Sequence, residues 1–235
     1  MILSEAWLLA ILLLALYIHD AVVLTGPAAA FLVRLPGGTW SVAFPTARFT
    51  LAGRHLFFPS QMPPATPVFA LNWDGRENDD GLWQPELDAS RLKPLSLISG
   101  FSFLLVLVAL PLALLTHQAT FVVVLAIGCA YLSVFASITV LWLARSRLGL
   151  SQRFCANLTF EMLLCPPVAA NLVRRVSLSL AIESHFITLA RRLAAPGRWS
   201  EARDELARRI DIQLEAVEPG SVEDSSLRRV REQLI

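Results

Sequence analysis

The sequence predicts an integral membrane protein, mainly α-helical. Three transmembrane helices, one alone and two in a tight hairpin, flank a small β-rich cytoplasmic unit between spans 1 and 2, and a helical cytoplasmic region follows. Three observations carry that fold class. Apolar residues make up 55% of the 235-residue chain against 17% charged, with a mean hydropathy of +0.56. They gather into runs close to the about 20 residues that a helix needs to cross roughly 30 Å of hydrocarbon. Residues 95–144 carry no charged side chain. This composition excludes a disordered chain, a collagen and a soluble coiled coil.

The first run is Ala6 to Leu24, with His19 and Asp20 near its end. The second is Leu95 to Leu115 and the third Ala119 to Leu143. Only Thr116-His117-Gln118 joins the second to the third, which makes them an antiparallel hairpin. Pro111, one turn from the end of the second run, is expected to kink it modestly, because proline removes an N–H and crowds the preceding turn. Ala126, Ala130, Ser133 and Ser137 place small residues along one side of the third run, a spacing that lets helices approach closely.

Arg145, Arg147 and Arg153 follow the third run directly, so the positive-inside bias puts its C-terminal end in the cytoplasm. The Thr116–Gln118 turn is then outside, residues 25–94 are cytoplasmic, and the N-terminus, which has no Lys or Arg before the first run, is outside. The chain divides into a first span (1–24), the β-rich unit with a Pro-rich connector (25–94), the hairpin (95–144) and a basic amphipathic helical region (145–235). A cleaved signal peptide ending at Ala28-Ala29-Ala30 is the rival reading. Glu5 in a leader without positive charge, and His19-Asp20 ahead of the site, argue against it. Lys93 is the single lysine beside nineteen arginines, a coding bias of a GC-rich genome, and the expected location is a bacterial inner membrane. Cys129, Cys155 and Cys165 form an odd, sparse set that suits a reducing compartment.

Between the first two runs, Trp40–Phe44 alternates like a strand. Arg48–Leu51 and Arg54–Phe58, separated by Ala52-Gly53, read as a hairpin, and Val68–Leu71 as a third strand. Pro59, Pro63, Pro64 and Pro67 make an extended connector. So small a unit buries little by itself, and its strand edges would suit a partner.

After the third run, Leu150–Leu164 reads as a helix closed by Cys165-Pro166-Pro167, with Cys165 forced extended. Val168–Ala195 reads as a second helix. Leu172, Val176, Leu180 and Ile187 fall near one face and Arg174, Arg175, Arg191 and Arg192 lie off it. Pro196-Gly197 is expected to break that helix and Ser200 to cap the next, in which Ala202, Leu206, Ile210 and Leu214 recur every four residues. The motif Gly197-Arg198-Trp199-Ser200-Glu201-Ala202, within Ser184–Asp211, resembles one helical hairpin of a tetratricopeptide repeat. No second copy follows, and such repeats stack in sets of about three, so an ordinary helical hairpin is preferred and no functional residue is carried over.

Candidate functional residues fall into two groups. Arg145, Arg147, Arg153, Arg174, Arg175, Arg191 and Arg192 would bind the anionic cytoplasmic leaflet or a partner; orientation alone also explains them. His19 and Asp20 form the polar pair within a span, which marks function by default, although adjacent helical residues do not face each other and both lie near the interface. A metal site from Cys155, Cys165 and His185 lacks ligand spacing, so no metal and no cofactor is expected. The arginines around Cys165 could lower its thiol pKa, but the helix C-terminus before it works against a thiolate, and a structural role is the favoured reading. No phosphate loop or hydrolase motif is present, and no catalytic residue is assigned. With a net charge of +1 there is no field for nucleic acid. The expected role is a scaffold or accessory subunit that binds a protein partner, a second copy of itself or anionic membrane lipids. The alternatives are a membrane enzyme acting on a lipid or lipid-linked substrate through Cys165, His55 or the acids of 72–80, and a subunit of an oligomeric channel or transporter.

Overall fold

The computed structural model describes residues 5–26, 28–35, 38–51, 54–59, 65–72, 84–116, 120–180, 186–194 and 196–234. The His117-Gln118 turn, the Ala52-Gly53 turn, Pro63-Pro64, the acids of 73–80 and His185 lie outside them. The protein is mostly α-helical with a small β-sheet region, and its chain divides into two units. The first holds residues up to Val23, Phe58–Pro67 and Gln84–Leu180; the second holds Leu24–Phe57, Val68–Trp83 and Ala181–Ile235.

In the first unit, α1 is Glu5–Ala21 and α2 is Pro85–Arg91. α3 (Lys93–Phe103), a π-helical stretch (Leu104–Ala109) and α4 (Leu110–Leu115) run on as one apolar helix of 23 residues. α5 is Thr120–Ala144, 25 residues. Two helices, Lys93–Leu115 and α5, are long and apolar enough to cross a membrane; the described part of α1 has 17 residues and ends at Ala21, short of Leu24. The π-helical stretch ends two residues before Pro111. A wider turn makes room for the proline ring and absorbs the missing N–H.

The small-residue side of α5 faces inward. Ala130, Ser133, Val134, Ser137 and Leu141 are buried, and Ser137 shares a hydrogen bond with Ser102 of α3 at 3.3 Å. Small side chains let the two backbones close on each other, and the hydroxyls satisfy themselves across the gap. Ser133 and Ser137 also donate to carbonyls of their own helix, of Ala130 and Ser133.

α6 (Gln152–Leu164) starts where Ser151 Oγ accepts from the Phe154 N–H, a normal N-cap. Cys165, with φ −136° and ψ 84°, has left the helical region, which the following proline disfavours. The single helix expected over Val168–Ala195 is instead three. α7 is Pro167–Ala170 and α8 Leu172–Ser179; after residues outside the description comes α9, Phe186–Leu193. Ser177 and Ser179 donate to the carbonyls of Arg174 and Val176, a local alternative to helix propagation, and Leu180 is extended. All four residues of α7 are buried, packed against α1, α3 and α5.

The second unit has two three-stranded sheets, of order β1-β5-β4 and β3-β2-β6. The strands are β1 (Val23–Thr25), β2 (Ala29–Arg34), β3 (Trp40–Ala43), β4 (Thr46–Leu51), β5 (Arg54–Phe57) and β6 (Val68–Asn72). β3, the β4–β5 hairpin and β6 match the sequence expectation; β1 and β2 begin the sheet region earlier than expected. β2 is central, antiparallel to both neighbours, with Leu32 opposite Val42 and Phe69. Its Ala29, Ala30, Phe31 and Leu32 are all buried, and Phe31 stacks on Phe57.

The unit is completed by α9, α10 (Pro196–Ala216) and α11 (Val222–Glu232). Pro196-Gly197 opens α10 rather than ending a helix, because proline suits the first helical turn. Ser200 therefore lies inside the helix, donating to the Gly197 carbonyl. Leu206 and Ile210 of α10 and Leu227 and Val230 of α11 are buried. Gly220, at φ 81°, makes the turn between them, and Ser221 caps α11.

Candidate functional site: a charged clasp in the helical unit

The first unit brings together charges scattered over the sequence. Asp20 sits at the end of α1 with its side chain 5% exposed. Arg175 of α8 spans two carboxylates: Nη2 donates to Asp20 Oδ1 at 2.5 Å and Nη1 donates to Glu161 Oε2 of α6. The neighbouring Arg174 is 1% exposed, and its Nη1 donates to Asn171 Oδ1 at 2.8 Å. Asn171 Nδ2 in turn donates to the Tyr17 carbonyl at 3.0 Å. The Tyr17 ring meets Phe103 edge-on, 5.5 Å between centroids. Burial lowers the proton affinity of Arg174, and the nearby Tyr17 and Asp20 oppose this.

Two carboxylates and two guanidiniums balance. Charges leave water at a cost of several kcal/mol per ion, recovered only where geometry and hydrogen bonding are complete. Arg175 suits the bridging place because a planar fork bonds two carboxylates at once. Chemically the cluster is a clasp: its cations are engaged with its own anions and amide.

The expected site residues are thereby redistributed. Asp20 pairs with Arg175, and His19 is exposed. Arg174 is buried rather than on a surface, and Arg175 is a partner of Asp20 and Glu161. Arg145 lies over the Trp142 ring at 5.8 Å and donates from Nε to the Leu150 carbonyl. Arg147 and Arg153 are exposed beside it in the same unit, and Arg191 and Arg192 are exposed on α9 in the other. Glu161, Asn171 and Tyr17 were not singled out from the sequence. The available signal was charge balance: Glu161 is the one acid between Arg145 and Ala181, facing five arginines.

The second unit has its own charge network. Arg209 of α10 lies over the Phe44 ring and donates to the Pro45 carbonyl at 2.6 Å. Glu205 accepts from Arg208 and Arg209, and Arg231 of α11 reaches Asp211 of α10 at 3.0 Å. The hydrogen bonds from Arg208, against partial burial, hold the Glu205 carboxyl below its ordinary range. Asp224 is also held low, first by the Gly220 N–H and then by Arg228. Among the described residues no cluster of three or more His, Cys, Asp or Glu is placed to hold a metal ion, and the cysteines are free thiols. No protein-family model, curated protein or solved structure matches the chain.

Proposed function

We propose that this is a three-span membrane scaffold of a bacterial inner membrane, holding a cytoplasmic sheet-and-helix unit for a protein partner. One observation carries the reading. Large apolar side chains are exposed along α1 (Leu9, Leu12), along Lys93–Leu115 (Leu104, Leu112) and along α5 (Leu125, Leu132), while serines face inward. At about 25 cal/mol per Å² such a surface is unfavourable in water and matches lipid. α1 is then the first span. The arginines after α5 set the C-terminal end of that helix inside, which places 25–94 and 181–235 in the cytoplasm and the N-terminus outside. The α10–α11 face, with Arg203, Asp204, Arg208 and Asp211 exposed, is a mixed-charge surface suited to a protein rather than to nucleic acid.

Topology reporters and mild-detergent extraction test this together. A cytoplasm-dependent reporter should be active after Ile235 and near Asn78 and silent in the Thr116–Gln118 turn. A stoichiometric protein should co-purify and be lost when α10 and α11 are deleted. An active reporter in the turn overturns the orientation, and purification without a partner overturns the scaffold.

A further inference from the structure

We infer that α6 and α7 form a re-entrant hairpin that enters the cytoplasmic leaflet, with Phe160 and Leu164 in contact with phospholipid acyl chains. The inference rests on the membrane reading above and adds a lipid-binding element to a region whose charge pattern placed it wholly in the cytoplasm.

The first support is direction. Trp142 Nε1 donates to Thr159 Oγ1 at 3.1 Å across seventeen residues, and Arg145 Nε donates to the Leu150 carbonyl at 3.2 Å. Stepping back from Arg145 to Trp142 of α5 steps forward from Leu150, just ahead of α6, to Thr159 within it. The helices are therefore antiparallel, and α6 returns alongside the span it has just left. At 1.5 Å per residue, Leu164 lies about 10 Å inside the end of α5. α5 is about 37 Å long against about 30 Å of hydrocarbon, so Leu164 sits roughly 7 Å inside the hydrocarbon edge.

The second support is depth from the other side. Ser99 Oγ donates to the Ala170 carbonyl at 2.7 Å, and Ser99 lies about 9 Å along α3 from Lys93. α7 is thus seated below the helix ends, among α1, α3 and α5. Backbone polar groups at that depth need partners. The Cys165, Val168, Ala169 and Asn171 N–H groups donate to the carbonyls of Glu161, Cys165, Pro166 and Val168. Pro166 and Pro167 have no N–H to satisfy. A double proline at the tip therefore removes two donors where water is scarce.

The third support is the outward face of α6. Arg153, Asn157, Phe160 and Leu164 share it at helical spacing, and all are exposed. Read toward the tip, the face runs charge, amide, aromatic, aliphatic. That is the polarity profile from headgroup to acyl chain, with Arg153 and Arg147 at the phosphates. Phe160 and Leu164 are 64% and 69% exposed, and Leu143 of α5 is 73% exposed, so the apolar surface is shared between the two helices. Glu161, on the neighbouring face, is neutralised by Arg175.

A nitroxide-bearing amino acid placed singly at positions 132, 153, 157, 160 and 164 of the full chain in phospholipid bilayers tests this and leaves the native cysteines untouched. Positions 160 and 164 should be accessible to oxygen and shielded from a water-soluble nickel chelate, as position 132 of α5 should be, with 153 and 157 open to nickel. Nickel access at 160 and 164 with shielding at 132 overturns the hairpin and leaves the membrane reading standing. Nickel access at 132 as well overturns both. Shielding of 160 and 164 from both reagents means that protein, such as a second copy of the chain, covers the face, and also overturns the proposal.

Discussion

Arg175 Nη2 donates to Asp20 Oδ1 at 2.5 Å, joining residues 155 apart in sequence. The bond ties the end of α1 to α8, and through Glu161 to α6. The clasp is a long-range tie, since α1 lies near the start of the chain and α6 and α8 in its later half. Asp20 is 5% exposed, so its carboxylate has limited access to water if it loses its partner.

Removing one member should therefore cost more than removing two. Arg175→Gln leaves Asp20 buried beside the more distant Arg174 and should destabilise by about 3–5 kcal/mol, toward the lower end because Arg175 is a third exposed. Asp20→Asn combined with Arg175→Gln should recover most of that loss. Thermal unfolding of the purified protein and its variants in one detergent reads the coupling. Strictly additive single and double variants would show that the pair is not coupled.

The second unit should have an acid limb of its own. Glu205 and Asp224 both bind a proton less readily when folded than when unfolded. Their contribution is complete above the unfolded carboxylate values of about 4 and disappears as pH falls through the depressed folded values. Arg208 and Arg228 are solvent-exposed partners, so salt should weaken the effect. Circular dichroism between pH 6 and 2, roughly the span over which carboxylates protonate, should show loss of helix that moves to higher pH in salt and becomes shallower in Glu205→Gln with Asp224→Asn. An unchanged acid limb in that double variant would assign it to other carboxylates.

Much of the architecture was legible because long apolar helices write themselves in composition. The uncharged stretch 95–144 gave Lys93–Leu115 and α5, and the Ala130, Ser133, Ser137 spacing gave the face that α5 buries. Proline rules gave the end of α6. What failed was reading residues 168–195 by periodicity alone. A buried element such as α7 is apolar all round, so it carries no amphipathic signal; the arginines that follow it then looked like a polar face. β2 was missed for the same reason, since a central strand buried on both sides shows no alternation. The clasp was unreadable because Asp20, Glu161 and Arg175 become neighbours only through tertiary packing.

A charge scan along the outward face of α6 separates a lipid-facing helix from a water-facing one by the sign of its last member. In water, an arginine at Leu164 would be neutral or slightly favourable. It would replace an exposed leucine in the final turn, where the helix dipole prefers a cation by about 0.3–1 kcal/mol. In the leaflet the same change puts a guanidinium below the headgroups. An arginine at the centre of a spanning helix costs about 2.5–3.5 kcal/mol, and less toward the interface; Leu164→Arg should fall between, at about 1–2 kcal/mol. Phe160→Arg should cost less, because helical side chains lean toward the N-terminus, which in α6 is the direction of the headgroups, and a long cation can snorkel there. Asn157→Arg should be near neutral. Melting temperatures of the three variants in phospholipid nanodiscs should therefore fall progressively from 157 to 160 to 164. A flat series, or a stabilising Leu164→Arg, would place α6 in water.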